Sequence, residues 1–465
     1  MMAALLIAVS SHLAFWFWRA RPGVLQRLAL DSTRLLDGMA QPGDGDEKLE
    51  ALERRTAQVL LTFLLFIGWA LVGVAIMVSL PGLWDVAMGT DEGLAKFAHW
   101  TGLLAMSVGG TLGLVYPKGK AQASAYSAMN QLVHRIVLDN GYVQRWLHDR
   151  EVKRWRKRGG VAETKFLLVT GLARAGTTSL LQRLMETEAF SSLHYGHMPL
   201  VMAPGTWSRW NKPKVSELKE RSHGDGILVG ATSAEALEEP FWRLQTEEGY
   251  VQEEALVPHV VSEEAHAAYL DFQGLVRKEG TLYLAKNNNA LLRYAGLREH
   301  NRDFRVVLMF REPLAHAASL RAMHRRYTAM QAEDPFVKTY MDWLAHHEFG
   351  EGHKPFRFAD RQEERNALGS NPDGLEYWLD RWMDYYEHAL TVDPHGVLFV
   401  SHEIWSSRPK EVLAAVMEEV GAQGECPELE PHTRRRKVEE TVDGERQRRA
   451  ETLYGRLMER ALHLD

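Results

Sequence analysis

Apolar residues are arranged in two different ways along this 465-residue chain. Near the amino end they form long uncharged runs. Positions 59–80 hold 22 residues without a charge, positions 97–116 hold 20, and positions 1–18 are mostly apolar with aromatic residues at their end. About 20 apolar residues suffice for a helix to cross a bilayer. The pattern predicts membrane spans over 1–18, 59–80 and 97–116. The first of these lacks a basic start and a small-residue cleavage site, and Arg19 and Arg21 follow it directly, so it reads as an anchor rather than a signal peptide.

Past residue 160 the runs become short and alternate in kind. Positions 166–169, 282–284, 305–310 and 397–400 are β-prone and apolar, as buried strands are. Between and after them, 177–188, 314–326, 410–420 and 445–462 carry apolar residues at helical spacing. Strands alternating with helices predict an α/β domain over 161–465, with a mostly parallel, P-loop-like sheet flanked by helices. A helical transmembrane region over 1–120 precedes it. The intervening 121–160 reads as an amphipathic, basic juxtamembrane linker. Leu132, Ile136, Val143 and Trp146 are among its apolar positions, and 150–158 is strongly basic. That basic stretch suits anionic headgroups; a solvated linker is the alternative.

Charge fixes an expected orientation. The stretch 19–58 holds seven Lys and Arg residues, 81–96 holds only Lys96, and Lys118 and Lys120 follow the third run. The excess of cations marks cytoplasmic loops. The large carboxy-terminal domain is therefore expected in the cytoplasm, on the inner (plasma) membrane of a bacterium. A net charge of −6 gives no nucleic-acid signature, and a single Cys, Cys426, leaves no internal disulfide and suits a reducing compartment.

The chemistry-bearing stretch is 170–180, Thr-Gly-Leu-Ala-Arg-Ala-Gly-Thr-Thr-Ser-Leu, between an expected strand and an expected helix. A Gly-rich turn feeding a helix amino terminus cradles phosphate or sulfate. The spacing nearly matches the nucleotide P-loop, but Thr177 stands where that loop needs Lys. That Lys reaches the β- and γ-phosphates of a triphosphate. The loop's own cation is Arg174 instead. A second strand, 305–310, ends in Arg311-Glu312-Pro313, with Ser319 early in the following helix. An Arg at that strand end suits an anion, whereas a triphosphatase places an Asp there for magnesium.

The two motifs together resemble the sulfotransferases that use 3′-phosphoadenosine 5′-phosphosulfate (PAPS). Arg174-Ala175-Gly176-Thr177-Thr178 matches their first loop, and Arg311, Pro313 and Ser319 match their second site. Leu284-Ala285-Lys286-Asn287 is similar to a Lys-bearing strand end before that site, and Leu398–Glu403 to their late strand and acidic turn. The resemblance covers roughly 160–460. It lacks an evident Gly-rich carboxy-terminal nucleotide loop, where Arg434-Arg435-Arg436-Lys437 lies instead. It implies sulfuryl transfer from PAPS to a hydroxyl or amine, without a metal. Arg174, Ala175, Gly176, Thr177, Thr178 and Ser179 would cradle the transferred end, and Arg311 and Ser319 the 3′-phosphate.

A general base must reach the acceptor. Glu238-Glu239-Pro240-Phe241-Trp242 resembles the acidic pair before aromatics in heparan-type glycan sulfotransferases, which implies Glu239, then Glu238, as the base. His223, in a turn-rich stretch, and His194 are rivals. Lys286 would stabilise the leaving or transferred group, or form a plain salt bridge. His346, His347 and His353 lie in 329–380, an acidic, aromatic stretch read as an acceptor lid and not as a metal site. The acceptor itself, whether lipid, glycan or small molecule, is not legible; the spans favour a lipid or lipid-linked one. A membrane-associated P-loop NTPase or kinase is the alternative enzyme, and a scaffold with a degenerate nucleotide fold the non-enzymatic one.

Overall fold

The computed structural model describes residues 2–20, 23–40, 45–91, 137–210, 236–246, 249–358, 371–432 and 440–464, with isolated positions 95, 99, 103, 106, 107, 134, 135, 219, 220, 228 and 229. The chain divides into two compact units, Met1–Ile136 and Val137–Asp465.

The first unit is helical: α1 (Met2–Ala20), α2 (Gly23–Ala40) and α3 (Gly45–Met88). Within α3, Ala51–Met88 is long and apolar enough to cross a membrane, judged by length and composition; the apolar part of α1, Ala4–Trp18, is shorter. The expected span 59–80 lies inside α3. The expected span 97–116 lies almost wholly outside the described residues. The supposed loop 19–58 is instead α2 and the first turns of α3. A polar tie joins these two helices: Thr62 Oγ1 donates to Asp31 Oδ2 at 2.7 Å, and Gln58 Nε2 to Asp31 Oδ1 at 3.0 Å.

The second unit begins with α4 (Gly141–Lys157), which the sequence placed in the linker. Its sheet has the order β2-β5-β1-β6-β7. These strands are β1 (Phe166–Thr170), β2 (Phe190–Ser191), β5 (Leu282–Lys286), β6 (Arg305–Phe310) and β7 (Val397–Ser401). Every pairing in this sheet is parallel. A small antiparallel pair, β3 (Lys219–Glu220) and β4 (Leu228–Val229), lies apart. The four strands expected from the sequence are all present. Strand β2 escaped notice because two residues carry no periodicity.

The period of two along each strand divides the core. Leu167, Val169, Leu284, Val307, Met309 and Val400 pack with Leu180, Leu181 and Leu184 of α5 (Thr177–Glu186) and with residues of α11 below. The alternate residues, Phe166, Leu168, Tyr283, Ala285, Val306, Leu308 and Phe310, face the other way. There they join Phe241 and Trp242 of α6 (Glu239–Gln245), Tyr269 and Phe272 of α7 (Glu263–Val276), Leu320 of α8 (Pro313–Glu333) and Trp382, Tyr385 and Tyr386 of α9 (Leu375–Ala389). After β7 come α10 (His402–Ser407), α11 (Pro409–Val420), which supplies Val412, Leu413 and Val416 to the first face, and α12 (Gly444–Glu459). Helices on both faces make every residue of β1 buried, which is why it reads as an unbroken apolar run.

Strand β1 lies between β5 and β6, where chain order reverses across the sheet. Ligands of open α/β sheets bind at the carboxyl ends of strands at such a point.

Candidate active site

Three strands end together here. Val169 is paired with Lys286, and Thr170 with Leu308. The loop that follows β1 is held by close backbone approach. Gly171 has φ +142°, and a Cβ there would lie 2.4 Å from the Met309 carbonyl oxygen of β6. Arg174 has φ +71°, an uncommon conformation for a side chain of its size. Such conformations persist where surrounding structure dictates them. Here a turn does so: the Ala175 amide donates to the Leu172 carbonyl at 3.1 Å. His316, fully buried on α8, hydrogen-bonds the Ala173 carbonyl at 2.7 Å.

Gly176, at φ +102°, is the residue before α5 and has no side chain to cap it. The first-turn amides of a helix have no intrahelical acceptor. Thr177 and Thr178 are buried, Ala175 fully so, and Gly176 and Ser179 half-buried. The Trp405 indole of α10 donates to Ser179 Oγ at 3.3 Å.

The two sequence motifs meet. Arg174 Nε donates to Ser319 Oγ at 3.3 Å across 145 positions of chain. Arg311 follows β6 and is half-buried. Burial pushes its guanidinium pKa down and Glu403 opposes this, while Arg174 adds a like-charge push. Glu312 caps α8 through the amides of Leu314 and Ala315, at 3.1 and 2.7 Å. Glu403 accepts from the Glu312 amide at 3.1 Å and from Tyr454 at 3.0 Å. Both acids are thus occupied in fixing the second loop. His402 sits against Gly176. Burial, then Arg311 and Arg174, hold His402 down at about 4. Burial foremost, with the same two guanidiniums contributing, holds His316 at about 3. Both imidazoles are neutral at pH 7, so the guanidiniums carry the positive charge.

Lys286 ends β5 and is half-buried. The next residue ties a buried acidic pair to the strand ends. The Asn287 amide donates to the Val169 carbonyl at 2.9 Å, and Thr170 Oγ1 donates to the Asn287 carbonyl at 2.8 Å. Its side chain donates to Glu239 Oε1 at 2.7 Å and to Glu238 Oε2 at 3.2 Å. Glu239 is gripped by Arg293 at 3.0 and 3.1 Å, and Tyr250 donates to its Oε2. The guanidinium lies between Trp242 and Tyr250, 4.7 and 5.1 Å from their ring centres. Glu238 accepts from Tyr269 at 2.6 Å and Tyr283 at 2.8 Å. Burial raises the Glu238 pKa. Burial acts the same way on Glu239, but the Arg293 guanidinium and its hydrogen bonds outweigh it and bring that pKa down.

A carboxylate offers about four lone-pair sites, and donors occupy four on Glu239. Its charge is matched by the buried guanidinium of Arg293. The pair-plus-aromatics pattern marks the core below the site. Of the rivals, His223 lies outside the described residues, as does the stretch 434–437. His194 stacks on His197 with ring centres 3.6 Å apart. His346 and His347 bond the carbonyls of Ala236 and Gly352, at 3.0 and 2.9 Å. Among the described residues no group of three or more His, Cys, Asp or Glu could hold a metal.

One carboxylate went unnoticed in the sequence. Glu348 is half-buried, and its Oε1 accepts from Asn288 Nδ2 at 2.9 Å. Among the described residues no hydrogen bond reaches its Oε2. Asn288 follows Asn287, and its carbonyl accepts from Tyr385, which also contacts Thr170 Oγ1. Glu348 therefore stands beside the ends of β5 and β1. Nothing local marks it; only the fold brings 348 to 288. A groove of 530 Å³ lined by Trp155, Arg277, Lys278 and Thr281 opens at the opposite, amino-terminal end of the strands, away from this site.

No protein-family model matches this chain, and no curated protein does. Among solved structures it is similar to a sulfotransferase from Mycobacterium tuberculosis, with 16% identity and a TM-score of 0.35 over 71% of this chain and 86% of that one. A sulfotransferase from Mycobacterium avium gives 11% identity and 0.35 over 74% and 81%. One from Alicyclobacillus acidocaldarius gives 15% and 0.31 over 64% and 94%. Likeness of this degree does not decide an activity.

Two outcomes follow from the buried groups. Glu239→Gln leaves Arg293 as an uncompensated charge and should cost about 3–5 kcal/mol of stability. Chemical denaturation reads this, and Glu239→Gln with Arg293→Met should recover much of the loss. His316 and His402 take up protons more readily unfolded, where histidine titrates near about 6.5. Stability should therefore fall as pH drops below about 6.5, by about 1.4 kcal/mol per pH unit for each histidine, until pH nears their folded values. Melting curves of His316→Gln across that range should show a shallower slope.

Proposed function

We propose that this protein is a membrane-anchored sulfotransferase that moves a sulfuryl group from PAPS to a hydroxyl or amine. The carrying observation is the contact of Arg174 with Ser319 at 3.3 Å, which joins an anion loop after β1 to a second one after β6. Two anion sites so joined suit a nucleotide with phosphates on both sides of its ribose. In this reading Arg174, the backbone of Ala175 to Ser179 and the hydroxyls of Thr177 and Thr178 hold the phosphosulfate. Arg311 and Ser319 hold the 3′-phosphate. Arginine forks match two oxygens at once. Lys286, beside the loop, steadies the departing phosphate oxygen.

The acceptor oxygen attacks sulfur as the bond from sulfur to the phosphate oxygen breaks, and the acceptor proton must leave. Glu348 is our choice to take it, because its Oε2 is open and Asn288 holds the other oxygen. Glu238 and Glu239 act from below by fixing Asn287 and the strand ends. Thr177 in place of the P-loop lysine, and Arg311 in place of a magnesium-binding Asp, weigh against an NTPase or kinase. The uncharged run in α3 suits an acceptor that is a lipid or lipid-linked, with a cytoplasmic catalytic unit.

Calorimetry should give adenosine 3′,5′-bisphosphate tighter binding than ATP, with or without magnesium; tighter ATP binding would sink the proposal. Arg174→Ala should lower bisphosphate affinity by roughly 1.5–3 kcal/mol. Arg311→Ala should erode the preference for 3′-phosphorylated over plain adenosine ligands, and an equal loss for both would move Arg311 out of that role.

Glu348→Gln should cut transfer of labelled sulfate from PAPS to a membrane lipid extract by ~10²–10⁴-fold. Bisphosphate affinity should be unchanged. Normal turnover in this variant would remove Glu348 from the mechanism.

A further inference from the structure

Helix α4 is turned inside out relative to an ordinary surface helix. Its buried residues are Gln144, His148 and Glu151, all polar. Its outward residues include Tyr142, 82% exposed, and Trp146, 51% exposed. Tyr142, Trp146, Arg150, Lys153 and Lys157 recur at intervals of three and four and are all exposed. Such spacing places them on one face. The buried set lies on the opposite face. The sequence pattern counted Trp146 among the apolar positions of this stretch without assigning which face turns inward.

Packing does not need this outward face. The inner face is held by His148 between Phe241 and Phe272, with ring centres 5.7 and 6.0 Å away. Arg156 forks onto Asp271 at 2.7 and 3.0 Å, and Arg145 reaches the Leu244 carbonyl. Asn140 caps the amino end. Cations in the last turn suit a helix carboxyl end, but that accounts for neither the outward aromatics nor Arg150 and Lys153. Arg150 lies over the Trp146 ring at 5.2 Å, so cation and aromatic form one patch. Tyr and Trp concentrate at membrane–water interfaces. Basic side chains beside them draw in anionic lipid headgroups.

We propose that the Tyr142–Trp146–Arg150–Lys153–Lys157 face of α4 docks on a bilayer containing anionic lipid. The charge of the face selects this occupant. The uncharged run in α3 supplies the same bilayer from the same chain, and on that point the inference rests on the membrane-anchored reading. Asp149, beside the stripe, and Asp139, before the helix, are exposed acids that the cations outnumber. Docking would hold the catalytic unit against the surface that offers a lipid acceptor.

The test uses the full chain with Cys426→Ser, so that an Asp149→Cys substitution accepts a single environment-sensitive fluorophore and leaves the stripe intact. The chain is reconstituted in nanodiscs of phosphatidylcholine with or without phosphatidylglycerol. The expected result is a blue shift and loss of quenching by aqueous iodide only in discs containing phosphatidylglycerol. High salt, or Arg150→Glu with Lys153→Glu, should reverse both. Identical emission in the two disc types, or emission indifferent to charge reversal, would overturn the docking face. A chain that fails to enter either disc would overturn the anchored reading, and the docking inference with it. Bisphosphate affinity of the charge-reversal variant should stay unchanged, which separates this outcome from failure of the sulfotransferase reading.

Discussion

Like charges brought together govern this site. Arg174 and Arg311 come from loops far apart in sequence, yet each adds to the electrostatic field at the other's neighbours. Two guanidiniums beside a helix amino terminus repel one another unless an anion lies between them. The rest of the carboxyl edge is arranged around that condition. His316 and His402 stay neutral, so they position the loop without adding charge. Glu312 and Glu403 offset part of the field, but their oxygens are spent on backbone amides and Tyr454. Such an edge keeps its positive charge on the two guanidiniums.

Beneath it lies a second electrostatic unit with a different task. Arg293, Glu239, Glu238 and Asn287 form a buried network enclosed by Trp242, Tyr250, Tyr269 and Tyr283. Buried networks of this kind hold their shape only when each member is paired. Asn287 joins the network to β1 and β5 directly below the loop. The aromatic wall, the ion pair and the strand ends therefore act as one rigid footing. The strain at Arg174 and the close approach at Gly171 can persist because the footing does not yield.

The arrangement also separates roles along the chain. The first face of the sheet carries α5 and α11 and sets the helix that follows the loop 171–176. The second face carries the aromatic helices and brings the 344–352 segment, with Glu348, over the ends of β5 and β1. Glu348 and the loop 171–176 are thereby supplied by opposite layers. α4 adds an outward face of aromatic and basic residues to the same unit.

The sequence by itself determined the four long strands, the loop 171–176 and the strand end before Arg311. Each of these is written in local pattern: an apolar run, a Gly spacing, or a strand end followed by Pro. It also determined the apolar stretch in α3, because composition alone makes such a helix. Only the tertiary structure decided which charges are paired in the core and which stand at the strand ends. Glu238 and Glu239 carry an acidic signature, but their partners lie up to 54 positions away, so nothing local distinguishes a base from a buried counter-ion. Glu348 has no signature at all, since its place depends on Asn288, 60 positions earlier. The same holds for α4, whose periodicity allowed either face to turn inward. Burial of His148 was settled by Phe241 of α6 and Phe272 of α7, and that of Glu151 by Thr206; spacing along one helix cannot encode that.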